Sequence, residues 1–66
     1  LNQKSQSTKR YLELLSKGHS NKEIGSVMGV STNTVKYHLK QIYGDLRVKN
    51  RASAVNQARE LGIIDA

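Results

Sequence analysis

Cysteine, proline, phenylalanine and tryptophan are all absent from this chain of 66 residues. Without cysteine there is no disulfide and no thiolate set for a structural zinc, the staples on which many small domains depend. Without proline no helix interior is interrupted, so so short a chain is free to fold as one small helical domain. The aromatic content is three tyrosines, few for stacking on single-stranded nucleic acid or for anchoring at a lipid interface. Acidic residues are also scarce, five against eleven Lys and Arg, for a net charge of +6 and an isoelectric point near 10.0. That excess selects a polyanionic partner, nucleic acid or an anionic membrane surface. No apolar run approaches the ~20 residues that span a bilayer, and no signal-peptide pattern is present, so the cytoplasm is the expected compartment. There is no nucleophile elbow, no glycine-rich phosphate loop and no His or Cys cluster at metal spacing. An enzyme is therefore not expected, nor a metal, cofactor or small-molecule ligand. A start at Leu1 instead of methionine predicts a domain cut from a longer protein whose regulatory part lies elsewhere.

What is present is an ordered series of helix starts and stops, predicting an all-α domain of four helices at about 7–17, 21–29, 32–46 and 51–61. Residues 1–6 read as a polar linker remnant that frays, and 7–66 as the domain. Tyr11, Leu12, Leu14 and Leu15 give the first helix its apolar side, and Gly18 stands where a left-handed residue would end it. Ser20 and Glu23 have the spacing of a capping box, each side chain bonding the other's backbone amide at the start of the second helix. Ile24, Val27 and Met28 form the expected buried side there, and Gly29 with Val30 makes the turn. Ser31 caps a third helix in which Val35, Leu39, Ile42 and Leu46 recur at intervals of four, three and four, the period of one continuous buried stripe. Asn50 caps a fourth helix through Ala52, Ala54, Val55, Ala58 and Leu61, with Gly62 beyond its end. Ile63 and Ile64 are expected to fold back as an apolar plug.

The third helix has two opposed faces. At ~100° per residue, Lys36, Lys40 and Arg47 fall within ~50° of one another, with Asn33 beside them, away from the apolar stripe. A lysine pair four residues apart on a small helical protein is, taken alone, most often a solvated surface, and its repulsion costs an isolated helix a few tenths of a kcal/mol. The context favours a ligand, because a short capped helix, a glycine-containing turn and a longer helix have the spacing of a helix-turn-helix. In that motif the second helix enters the DNA major groove by its N-terminal half, where Lys36 and Lys40 lie.

The residues Ser20 to Ile24, Val30 and Ser31, Thr34, Val35, Lys36 and His38, Ile42 and Tyr43, Leu46 and Val48 to Arg51 resemble the LuxR, or GerE-type, family of bacterial transcription regulators. The resemblance covers roughly Leu12 to Gly62. It implies sequence-specific binding of duplex DNA, the third helix in the major groove, as a homodimer joined through the fourth helix on an operator with two half-sites. It places base contacts at Lys36, Tyr37 and Lys40, and phosphate contacts at Asn21, Lys22, Thr32 and Thr34, with more around Lys49 and Arg51. Ala54, Val55, Ala58 and Leu61 are the expected dimer contacts, and RNA polymerase is a further candidate partner. A single short helix buries little beside the ~1,200 to 2,000 Å² of a stable interface, so a monomer in solution and a dimer on DNA are expected, in the bacterial cytoplasm on the nucleoid.

Each assignment has a physical warrant. Lysine donates to guanine O6 and N7 in the major groove, and Thr32 and Thr34 sit where free amides and the positive dipole end attract phosphate. Lys22 is misplaced for helix stability unless an anion sits nearby. Tyr37 either packs on a thymine methyl or sugar or caps the edge of the core. His38 is expected in packing or internal hydrogen bonding. The chain departs from the family pattern at several points: Lys4 to Thr8 lacks the acidic Leu-Thr-x-Arg-Glu start, Gly25 stands where alanine is common, and Gly44 falls inside a helix. Asp45 replaces a frequent base, predicting weaker phosphate anchoring, and Arg47 replaces a helix-ending glycine, predicting a looser helix end. The alternative reading is a protein-interaction and dimerisation domain whose basic face binds nucleic acid only nonspecifically.

Overall fold

The computed structural model of the chain describes residues 3–65, and side chains from Ser7 onward. Four helices follow in order, α1 (Gln3–Ser16), α2 (Asn21–Met28), α3 (Thr32–Leu46) and α4 (Arg51–Glu60), and no strand occurs among the described residues. Helix α1 begins at Gln3, ahead of the expected Ser7, because Gln, Lys and Ser at 3–6 carry no helix breaker and the first two are good helix formers. Of the stretch expected to fray, Leu1 and Asn2 lie outside the described residues, as does Ala66 at the other end.

The helix ends follow local chemistry. The Ser20 hydroxyl accepts from the Glu23 amide at 3.2 Å and the Glu23 carboxylate accepts from the Ser20 amide at 2.8 Å, the reciprocal capping box. Ser31 and Asn50 cap α3 and α4 by accepting from the amides of Thr34 and Ser53. Gly18, Gly29 and Gly62 all take left-handed backbone just past a helix, where a residue without Cβ meets least resistance. Arg47 takes the same conformation, φ 59°, after α3. The expected looser end is not seen there, since Arg47 and Val48 donate to the carbonyls of Gly44 and Tyr43 at 3.2 and 2.9 Å and close the turn. The departure from glycine appears instead as backbone strain, on the order of 1 kcal/mol for a side chain in this region.

The core is built from all four helices and the C-terminal plug. Tyr11, Leu12, Leu14 and Leu15 of α1 meet Ile24, then Val35, Leu39 and Ile42 of α3, then Ala54, Val55, Ala58 and Ile64. Leu12, Ile24 and Val35 are fully enclosed, each worth about 1.5 to 3 kcal/mol in burial. Helix α2 packs mainly on α3, and α1 on α4, so the helix-turn-helix is one layer resting on the pair formed by α1 and α4. The expected buried side of α2 is corrected at Val27, which is 49% exposed. A helix of eight residues makes only about two turns, and Ile24 and Gly25 take the buried positions.

Gly25 and Gly44 are opposite cases. A Cβ on Gly25 would lie 2.8 Å from the Val30 carbonyl oxygen, so α2 and the turn before α3 approach closely because this residue has no side chain. A Cβ on Gly44 meets nothing within 4 Å. Gly44→Ala is therefore expected to raise stability by up to ~1 kcal/mol. Gly25→Ala is expected to lower it by about 1 to 3 kcal/mol as the turn shifts. Urea midpoints of the two variants check this, and an undiminished midpoint for Gly25→Ala would show that the turn opens without cost.

Candidate nucleic-acid interface

Burial of Val35, Leu39 and Ile42 on one side of α3 leaves Asn33, Lys36, Tyr37, Lys40, Gln41 and Gly44 on the other, all exposed. The structure brings Lys36 and Lys40 together with Asn21, Lys49 and Arg51 around one open groove of about 570 Å³, floored by Leu39, Tyr43 and Val48. Five of the expected contact residues, contributed by α2, α3, the loop after it and the start of α4, thus share one concavity. The only close contact between a basic and an acidic side chain among the described residues is His19 with Glu23, at 3.6 Å, and no lysine or arginine there lies within 4.0 Å of a carboxylate. The cations around the groove are therefore uncompensated by the protein itself.

Tyr37 stands apart from the lysines. It is 60% exposed and borders a second hollow of about 250 Å³ between α1 and α3, with Ser7, Thr8, Tyr11, His38, Gln41, Ile42 and Asp45. Its ring meets His38 edge-on at 5.6 Å, and His38 in turn lies 5.3 Å from the Tyr11 ring. His38 is thus half-buried in an aromatic row on the side facing α1. Tyr37 is not part of the core, whereas its neighbours in the hollow, Tyr11 and Ile42, are buried in it.

The helix starts differ in how much positive field they leave free. Helix α2 carries Glu23 in its first turn. The hydrogen bond from the Ser20 amide, helped by His19 and the Ser20 hydroxyl, holds this carboxyl below the ordinary glutamate range against a smaller opposing effect of desolvation. Helix α3 has no acid in its first turn, so Thr32 and Thr34 flank an end whose dipole is uncompensated. Thr32 is exposed, whereas the Thr34 hydroxyl is 3.0 Å from that of Ser31. Lys22 is exposed near the start of α2, and Lys49 is exposed in the loop before α4.

Two sets of expected contacts are placed differently from their sequence reading. Arg51 is turned inward, its guanidinium donating to the His19 carbonyl and, at 2.9 Å, to Asn21 Oδ1. Nothing in the sequence signals this clamp, because its ends lie 30 and 32 residues apart. Ala54, Val55 and Ala58, expected at a dimer interface, are buried in the chain's own core. They cannot meet a partner without unpacking α1, because that side of α4 rests on it. Leu61 is 57% exposed, and the outward side of α4 carries Ala52, Asn56 and Arg59.

A short capped helix held against a longer one whose outer side carries unpaired lysines is the geometry that the family resemblance implies, and comparison with known proteins decides the matter. The GerE family model, bacterial regulatory proteins of the luxR family, matches residues 5–58. The chain belongs to the luxR family. Its match reaches back beyond Leu12, where the visible motif begins, into the divergent start of α1. The chain is 43% identical over 53 residues to the HTH-type transcriptional regulator AlkS of Alcanivorax borkumensis, covering 80% of this chain and 6% of that protein. It is 54% identical over 43 residues to the putative HTH-type transcriptional regulator YhjB of Escherichia coli, covering 65% and 22%. It is 35% identical over 54 residues to the transcriptional regulatory protein DesR of Bacillus subtilis, covering 82% and 27%. The chain thus spans less than a third of the length of each of these relatives. Membership in this luxR family makes the helix-turn-helix a DNA-binding domain of the transcription-regulator type.

The lowered Glu23 pKa sets a pH dependence. A carboxyl more acidic when folded than when unfolded contributes stability that is complete above its unfolded pKa and is lost as pH falls through its folded one. Melting temperature is therefore expected to fall from pH 5 to pH 3 more steeply in the wild type than in Glu23→Gln, whose amide caps without titrating. Parallel curves for the two proteins would contradict this role.

Proposed function

We propose that this domain reads duplex DNA with α3 lying in the major groove, Lys36, Tyr37 and Lys40 meeting base edges. The observation that carries the reading is the set of unpaired cations gathered at one groove on a helix whose other side is locked in the core. Lysines at the N-terminal half of such a helix reach guanine acceptors in the major groove. Tyr37, more exposed than any other large apolar or aromatic side chain of the described residues, offers its ring to a thymine methyl or a sugar.

Phosphates anchor the frame and set its register. Thr32 and the free amides at the start of α3 take one strand, and Lys22, Asn21 and Lys49 take backbone around the basic groove. Asp45, exposed on α3 beside the hollow that Tyr37 borders, places a negative charge there and weakens phosphate anchoring at that end. On an operator with two half-sites the domain pairs through the outward side of α4, with Ala52, Asn56, Arg59 and Leu61 in place of the buried residues. A promoter-bound dimer of this kind presents its remaining surface to RNA polymerase.

Lys36→Gln combined with Lys40→Gln tests the reading, because both positions are exposed and the fold does not depend on them. A duplex selected from a random pool and a scrambled control are titrated by fluorescence anisotropy at two salt concentrations. The variant is expected to lose the preference for the selected duplex, about 1 to 3 kcal/mol for each lost bidentate base contact, and to retain weak, salt-sensitive binding to both. An unchanged preference would move sequence reading off α3 and favour an interaction domain that binds nucleic acid nonspecifically.

A further inference from the structure

We infer that Arg51 is a positioning residue that aims the Asn21 side chain at a DNA phosphate, and is not itself a phosphate ligand. This rests on the DNA-binding reading above and adds a division of labour within it. The Arg51 guanidinium uses its fork on two acceptors of the same chain, the His19 carbonyl and Asn21 Oδ1. Arginine has donors only, so the amide atom facing it must be the oxygen, and the orientation of the Asn21 amide is fixed without ambiguity. Its two N–H donors are thereby turned away from Arg51, and they have no hydrogen-bond partner among the described residues.

Asn21 is half-buried, opens α2 and borders the same groove as Lys36, Lys40 and Lys49. An oriented pair of neutral donors at a helix start, beside unpaired cations, fits a phosphate oxygen. The clamp also fixes the start of α4 to the loop before α2, so the anchor holds its place relative to α3. A half-buried guanidinium with both arms engaged gains little by leaving two acceptors for a solvated phosphate, because doing so orphans the His19 carbonyl and releases Asn21.

The test is a double-mutant cycle on duplex binding with Asn21→Ala, Arg51→Met and the double variant, each binding curve repeated across a salt series at a temperature where circular dichroism shows all four proteins folded. Asn21→Ala is expected to weaken binding on the order of tenfold. Arg51→Met is expected to weaken it in the wild-type background and to have no further effect in the Asn21→Ala background, with the salt dependence unchanged in slope. Additive losses, or a slope shallower by about one for Arg51→Met, would make Arg51 a direct phosphate ligand and overturn the inference. If Arg51→Met does not fold, Asn21→Asp decides: its carboxylate keeps the acceptor for Arg51 but has no N–H to give. It is expected to melt no lower than wild type while binding the duplex more weakly, and wild-type affinity in this variant overturns the inference. Failure of the wild type itself to bind the duplex at low salt sinks the DNA-binding reading instead, which separates the two.

Discussion

The interface depends on how α3 is held. Val35, Leu39 and Ile42 are buried along one side of the helix against α1, α2 and α4, and that contact leaves Lys36 and Lys40 no orientation but outward. Two lysines one turn apart repel each other by a few tenths of a kcal/mol, whereas each enclosed apolar side chain contributes about 1.5 to 3 kcal/mol. The core wins that comparison easily and keeps the cations in place. The close approach of α2 at Gly25 to the Val30 carbonyl then sets where the α2 start stands relative to the lysines. Stability on one side of the helix and the outward display of lysines on the other are consequences of the same packing.

The same packing decides which side of α4 is turned inward. Ala54, Val55 and Ala58 are buried in the core where α4 packs on α1. The same residues cannot serve a partner chain, so any pairing of two domains is left to a surface of one small apolar side chain, one amide, one arginine and Leu61. Such a surface is too small and polar for a strong interface. Arg51, at the start of the same helix, ties α4 to the entry of α2.

Much of the fold was legible because its punctuation is local. Ser20 with Glu23, Ser31 and Asn50 announce helix starts within three residues, and Gly18, Gly29 and Gly62 mark ends through a backbone conformation that glycine adopts readily. The stripe on α3 was legible because fifteen residues give a period time to repeat. Eight residues in α2 do not, and Val27 was accordingly misplaced. The start of α1 is less legible, because Gln, Lys and Ser at 3–6 carry neither an apolar period nor a breaker to mark a boundary.

The outward placement of Lys36 and Lys40 was legible from periodicity, but the groove that joins them to Asn21, Lys49 and Arg51 was not. Periodicity shows that one side of a helix is buried without showing against what, so Ala54, Val55 and Ala58, expected at a dimer surface, belong instead to the chain's own core. The Arg51 clamp is a contact across 30 residues of sequence and is visible only in three dimensions. The most direct measurement of the central claim is a titration of the isotope-labelled domain with a selected duplex, followed by amide chemical shifts. The largest changes are expected on Lys36, Tyr37, Lys40 and the amides opening α2 and α3, with the buried stripe of α3 little affected. Changes centred on the outward side of α4 or on α1, with the lysine face of α3 unmoved, would contradict it.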